Sequence, residues 1–247
     1  MRTIVLSTLA ALVLLGCKNN AKQTEENTST ATEQETTSLE WETLFDGTSF
    51  DNWKVYNGGE VTEPWSIEEG AMVFNPPAER PQGATYDLIS KNTYTNFVLS
   101  MEWMIAEGGN SGIFWGIHED ENFYAPYQTG PEIQVLDNER HPDSKNGLNR
   151  HAGALYDMVE PSEDVTKPAG EWNTCTIKID HENNIGEVTL NGTVIVSFAV
   201  DGSEWDEMVA NSKFATWEGF GAYPDGHIGV QDHGDRVAYR NIKIAKL

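Results

Sequence analysis

Beyond about residue 40 the chain falls into short stretches of alternating apolar and polar residues, separated by Gly, Pro, Asn and Asp. A period of two marks a β-strand with one buried face. In Phe97-Val98-Leu99-Ser100-Met101-Glu102-Trp103-Met104, the residues Phe97, Leu99, Met101 and Trp103 share such a face. Residues 111–117 alternate Ile113, Trp115 and Ile117 against Gly112, Phe114 and Gly116. Residues 132–136, 172–180, 188–190, 193–198, 227–230 and 237–244 read as further strands. Asn191-Gly192 between two of them signals a tight hairpin, because both residues tolerate positive φ. One segment departs from this rhythm. Residues 203–214 place Trp205, Met208 and Val209 on one helical face, with Ser203 positioned to cap the helix. Many strands, one short helix and no βαβ repeat predict an all-β fold, a jelly-roll sandwich of two antiparallel sheets.

The N-terminal 38 residues follow a different pattern. An apolar run over residues 4–15 follows Arg2 and ends in Leu14-Leu15-Gly16-Cys17. A membrane-spanning helix needs about 20 apolar residues, so this run has the length of a signal-peptide core. Its end resembles the bacterial lipobox, in which the signal is cut before the cysteine and the thiol is acylated. Residues 1–16 are therefore expected to be a signal peptide and Cys17 the lipid attachment site. Residues 18–38 contain no aromatic and no large aliphatic side chain, which predicts a disordered tether over 17–38. Residues 39–247 then form one β-sandwich domain. The expected location is that of an exported bacterial lipoprotein, anchored in the outer membrane or facing the periplasm. Of the 2 cysteines, lipidation consumes one, so Cys175 has no disulfide partner. Alternation sets Cys175 beside Ile177 and Ile179, as a buried and inert thiol.

Charge narrows the function. With 16 Lys+Arg against 39 Asp+Glu the formal net charge is -23, which repels nucleic-acid backbones. Eight Trp, eight Tyr and nine Phe suit a folded β-rich domain, and aromatic rings also line sugar-binding faces. No phosphate-binding Gly loop, zinc-spaced Cys set or nucleophile elbow is present in the sequence.

Polar residues opposite the core faces are the candidates for chemistry. If Ile133 and Val135 face the core, Glu132 and Gln134 emerge together on the other side. Asp137 would join them only through a one-residue bulge. If Ile228 and Val230 are core, Gln231 and His233 face outward, and His233 suits proton transfer near neutral pH. Asn110, at the head of Asn110-Ser111-Gly112, could offer its amide at the mouth of a groove. A solvated outer face, a structural His and a turn-forming Asn are the plainer readings of the same residues. Two long loops flank these segments. Residues 118–129 hold Phe123, Tyr124 and Tyr127, and residues 138–154 hold Arg140, His141, Arg150 and His151.

Several motifs in order resemble the 3-keto-disaccharide hydrolase domain family over residues 39–247. They are Leu44-Phe45-Asp46-Gly47 with Trp53, Trp65 with Gly70, Gly109-Asn110-Ser111-Gly112-Ile113, and Gly130-Pro131-Glu132-Ile133-Gln134-Val135-Leu136-Asp137-Asn138. Gly153-Ala154-Leu155-Tyr156, Glu171-Trp172-Asn173, Leu190-Asn191-Gly192, and Gly229-Val230-Gln231-Asp232-His233-Gly234 with Arg240-Asn241-Ile242 complete the set. The resemblance implies a concanavalin-like sandwich and cleavage of glycosides oxidised at carbon 3. Two features depart from it: Gly116 stands where the family often has Arg, and the stretches around 118–127 and 138–150 look particular to a subgroup.

On that reading Glu132 and His233 form the acid/base pair. The substrate-binding set is Asn110, Gln134, Asp137, Gln231, Tyr124, Arg150 and His151, and the partner is a carbohydrate. No motif demands a cofactor; a divalent metal ion is one candidate for polarising the ketone, beside Gln134 and Asn110. Two rivals share the fold. A laminarinase-like glycosidase would carry Glu-x-Asp-x-x-Glu on one strand, where this chain has Glu132-x-Gln134-x-x-Asp137. A lectin-like module would bind glycans without turnover.

Overall fold

The structure, a computed structural model, describes residues 39–81 and 84–247. The signal peptide, Cys17 and the tether expected over residues 1–38 lie outside the described residues. The described chain begins with β1 (Trp41–Phe45), β2 (Trp53–Val55), β3 (Trp65–Glu68), β4 (Ala71–Phe74), β5 (Leu88–Tyr94) and β6 (Phe97–Ile105). It continues with β7 (Asn110–Ile117) and β8 (Glu132–Leu136), and then a long irregular stretch. After that come β9 (Asn173–Asp180), β10 (Ile185–Leu190), β11 (Thr193–Phe198), helix α1 (Gly202–Ala210), β12 (Gly226–Val230) and β13 (Val237–Lys246). All pairings are antiparallel. The large sheet runs β11-β10-β9-β6-β13-β4-β3, with β1 also on β13, and the small sheet runs β2-β5-β12-β7-β8. The expected all-β sandwich with one short helix is what these residues form.

The core lies between the two sheets. Phe97, Leu99, Met101 and Trp103 of β6 meet Ile113 and Trp115 of β7, Ile133 and Val135 of β8, and Ile228 and Val230 of β12 in one buried cluster. The alternation on β6 and β8 is the one the hydrophobic pattern predicts. Cys175 sits in the same cluster, 2% exposed, and burial pushes its thiol up to about 12, so it stays protonated and unreactive. Asn191 and Gly192 take φ of 49° and 88° and join β10 to β11 as expected.

Strand β13 serves two neighbours along one edge. Residues 237–239 pair with β4, and residues 242–245 pair with β1. The register slips between Arg240 and Lys243, where Asn241 adopts a positive φ of 52°. This bend lets one strand brace both halves of the large sheet.

Two sequence expectations need correction. Ile117 lies not with Ile113 and Trp115 but on the opposite face, clustered with Tyr56, Ile89 and Phe114. Gly116 has a φ of 61°, and the register slips in β12 opposite it, between His227 and Gly229. One such irregularity reverses the facing of the residue that follows. The helix is also shorter than residues 203–214. Its cap is Asp201, whose carboxylate accepts from the Gly202 amide at 2.7 Å, and Ser203 lies inside it. The strands before Phe97 carry little alternation of their own. β2, β3 and β4 span 3 to 4 residues, too few to show a period, and all of β4 is buried.

Candidate active site

The face of the small sheet turned away from the core has two halves. One is apolar, where Phe114, Ile117, Ile89 and Tyr56 are covered by Tyr127 from the 118–129 loop. The other is an open cleft of about 390 Å³. Its floor and rim include Asn110, Glu132, Gln134, Gln231 and His233, and its wall is built by Tyr124, Tyr127, Tyr156, Lys213, Phe214 and Trp217.

Glu132 opens β8, directly after Gly130-Pro131, and sits beside β7 in register with Phe114. Its carboxylate leans over Gly112, where any side chain would collide with Oε1. The outer edge of β8 is not free. Gly153 donates its amide to the Gln134 carbonyl at 2.8 Å, Gln134 to Ala154 at 3.1 Å, and Tyr156 to Glu132 at 3.0 Å. That extra pairing sets Tyr156 next to Glu132. Glu132 is 8% exposed, and among the described residues no group donates a hydrogen bond to its carboxylate. Burial pushes its pKa upward against the pull of Lys213, and the negative charges of Asp87 and Asp143 add to the rise.

On the β7–β12 side, Gln231 donates its amide to the Gly112 carbonyl at 2.9 Å. Behind it, Asp232 turns inward to an ion pair with Arg80 and accepts from the Tyr86 amide at 3.1 Å, which fixes the segment that carries His233. Asn110 donates its backbone amide to Asp235 at 3.0 Å, and its side-chain nitrogen lies 3.4 Å from His233 Nε2. Among the described residues, the oxygens Asn110 Oδ1 and Gln231 Oε1 are buried with no hydrogen-bond partner. An unmet buried acceptor costs about 1–3 kcal/mol, so both are poised for a ligand's donors. His233 stands exposed at the mouth, and the protein packed around its ring lowers its pKa, which Asp235 opposes and His141 reinforces.

Three residues expected to touch substrate lie elsewhere. Asp137 accepts from the Gly108 amide at 2.7 Å and the Glu139 amide at 3.1 Å, and pairs with Arg140 at 3.4 Å. No bulge returns it to the Glu132 side, so it ties the β6–β7 turn to the start of the loop after β8. Arg150 stands behind the wall, donating to Tyr156 Oη at 2.8 Å and pairing with Asp157 at 2.5 Å and Asp143 at 3.4 Å. His151 Nε2 is 3.1 Å from the Ser144 carbonyl and belongs to the loop's own framework. Asn110, Tyr124, Glu132, Gln134, Gln231 and His233 do converge on the cleft.

Lys213, Tyr156, Phe214 and Trp217 line the cleft without having been singled out from sequence as site residues. Lys213 and Phe214 follow α1 in a stretch with no strand period, and their position depends on a loop contact, the Lys213 amide on Asp157 at 2.7 Å. Tyr156 was visible only as part of a motif.

Among the described residues, His141, His233 and Asp235 are one group whose ligand atoms lie within 4.8 Å of one another. His141 Nδ1 accepts from the Asp143 amide at 3.1 Å, which leaves its proton on Nε2. A metal-bound imidazole instead donates through its second nitrogen. As arranged, the three fit a metal ion poorly.

Hydroxyl-seeking carbonyl oxygens on the floor and aromatic rings along the wall are what a sugar ring requires, and the buried carboxylate between them can move a proton. The class these features define is that of an enzyme acting on glycosides. Residues 40–245 match the 3-keto-alpha-glucoside-1,2-lyase-like domain family, and the chain belongs to that family. A 3-keto-disaccharide hydrolase of Bacteroides thetaiotaomicron is 36% identical over 228 residues, covering 83% of this chain and 78% of its own. A crystal structure of a candidate glycosyl hydrolase from Parabacteroides distasonis shares 30% identity with a TM-score of 0.76, covering 84% of this chain and 94% of that one. A Bacillus subtilis protein with a galectin-like fold, at 12% identity and a TM-score of 0.51 over 84% of this chain and 95% of that one, shows the fold alone.

Proposed function

We propose that this glycoside hydrolase cleaves sugars oxidised to a ketone at carbon 3, by elimination followed by hydration. One observation carries the proposal: among the described residues, Glu132 is the single carboxylate that lines the cleft. Ordinary glycosidases, retaining or inverting, use two carboxyl groups that flank the scissile bond. The place a second would occupy on this strand belongs to Gln134, and Asp137 is turned away. One base and one proton donor suffice when a neighbouring ketone acidifies the ring.

The ketone at carbon 3 renders the carbon 2 proton removable. Glu132 takes that proton, and the electron pair left on carbon 2 forms the C1=C2 double bond as the C1–O bond breaks. His233 donates a proton to the departing oxygen; because burial lowers its pKa and raises that of Glu132, the reactive form is the one with Glu132 ionised and His233 protonated. Water then adds across the double bond, its hydroxyl to carbon 1 and a proton to carbon 2, giving the free 3-keto sugar. Burial makes Glu132 a stronger base than an exposed carboxylate, which suits abstraction from carbon. His233 at the exposed mouth stands where a leaving group reaches solvent. The naming of the family as 1,2-lyase-like supports a double bond between carbons 1 and 2.

The test pairs a 3-keto-glycoside with its unoxidised parent. The keto compound is expected to be cleaved and the parent left intact. Glu132→Gln and His233→Ala are expected to lower the rate by ~10²–10⁴-fold. Equal cleavage of the parent would point to an ordinary glycosidase, and binding of both without cleavage to a lectin.

A further inference from the structure

We infer that Lys213 is a catalytic residue, which holds the carbon 3 ketone oxygen and the negative charge that gathers on it as carbon 2 loses its proton. The inference rests on the reading of the cleft as a 3-keto-glycoside site, and it follows from how donors and acceptors are sorted across the sheet.

The order of strands fixes the order of groups. Crossing the cleft from β12 through β7 to β8, one meets Gln231 and His233, then Asn110, then Glu132 and Gln134. Beyond β8 lies Tyr156, hydrogen-bonded to the Glu132 carbonyl, and over the Tyr156 ring stands the Lys213 ammonium, 4.1 Å from the ring centroid. It is also 5.1 Å from the centroid of Phe214. Among the described residues, Lys213 makes no ion pair within 4.0 Å, although Glu132 and Asp157 are the acids whose charges act on it most.

A ketone oxygen only accepts hydrogen bonds. The Asn110–Gln231 side presents two buried carbonyl oxygens without donors. A ketone placed there would leave both oxygens unmet, while sugar hydroxyls placed there would satisfy both. The ketone therefore belongs on the far side of β8, where Lys213 supplies a cation. With carbon 3 at Lys213, carbon 2 falls over Glu132 and carbon 1 toward His233. The three functional carbons then run in the same order as the three side chains. Lys213 is exposed at the cleft wall, where the Tyr156 and Phe214 rings flank its ammonium and the protein packed against it lowers its pKa, so a fixed cation faces the place where the enolate charge forms.

The test uses the full chain with Lys213→Met and Lys213→Arg, each compared with wild type for kcat and KM on a 3-keto-glycoside. Affinity for that compound and for its unoxidised parent is also measured in each protein. Lys213→Met is expected to lower kcat by ~10²–10³-fold with KM changed far less, and Lys213→Arg to recover part of the loss. The parent sugar has no ketone, so its affinity is expected to be unchanged in Lys213→Met but weakened in Asn110→Ala. Unaltered kcat in Lys213→Met, or equal weakening of keto and parent sugar, would overturn the assignment. If wild type cleaves no 3-keto-glycoside, the functional reading fails separately. The keto-to-parent affinity ratio of Lys213→Met against wild type then still decides whether Lys213 recognises the ketone.

Discussion

A buried carboxyl group that no neighbour bonds leaves a mark on folding as well as on catalysis. The native state holds the Glu132 proton more tightly than the unfolded chain does, because ionisation inside the protein is opposed by burial. The native state therefore binds more protons wherever the unfolded carboxyl has ionised, and stability falls as pH rises through that interval. The loss starts near the ordinary glutamate range and levels off once pH passes the raised native value. Glu132→Gln removes it. Thermal unfolding of wild type and Glu132→Gln across pH is expected to give similar melting temperatures in acid, with the variant increasingly the more stable toward alkaline pH. A difference that stays constant with pH would show that the carboxyl ionises as freely in the native protein as in the unfolded chain.

The segments that carry the site are held from behind. Asp232 has a side chain with 0% exposure paired to Arg80, and it lies next to His233 in the chain. Removing one partner of such a pair leaves a buried charge uncompensated. Arg80→Met is expected to cost about 3 kcal/mol in chemical denaturation and to reduce turnover, because the 231–234 segment loses its anchor. Asp232→Asn with Arg80→Met is expected to restore part of the stability, as measured by a double-mutant cycle. At this scale the limits of reading the sequence become visible. The facing of Glu132 and Gln134 was legible because Ile133 and Val135 form an unbroken alternation. Ile117 was misassigned because a single glycine, Gly116, reverses the phase. Asp137 lies just past the end of its strand, where alternation no longer constrains it, and its destination depends on amides supplied by Gly108 and Glu139. Lys213 and Trp217 reach the cleft through loop packing, which leaves no period in the sequence. Arg150 carries a charge suited to a ligand, yet the acids and the tyrosine that claim it lie 6 or 7 residues away and had no sequence signature.

At the level of the whole molecule, the N-terminal segment sets where the enzyme would work. The proposal from sequence is a chain anchored through an acylated Cys17, and no helix among the described residues is long and apolar enough to cross a membrane. Cys17→Ser is expected to move the protein from the membrane fraction to an unprocessed or soluble form and to abolish incorporation of labelled fatty acid. Unchanged fractionation and labelling would overturn the lipoprotein reading. The formal charge of -23 favours neutral sugars over anionic ones as substrates for such an enzyme.

The separation of floor from wall has a consequence for how this enzyme diversifies. Glu132, Gln134 and Asn110 sit in paired strands, where a change of length would shift register and scramble every facing. Tyr124 and Tyr127 sit in a loop fastened at its middle, where Tyr56 Oη and the Asn57 side chain donate to the Phe123 carbonyl at 3.0 and 2.8 Å. Tyr124 itself is 67% exposed. Mutation can therefore redraw the wall that faces a sugar while the polar groups of the floor stay in place. A lineage built this way can change the shape it offers a ligand by editing one loop, without disturbing the paired strands beneath.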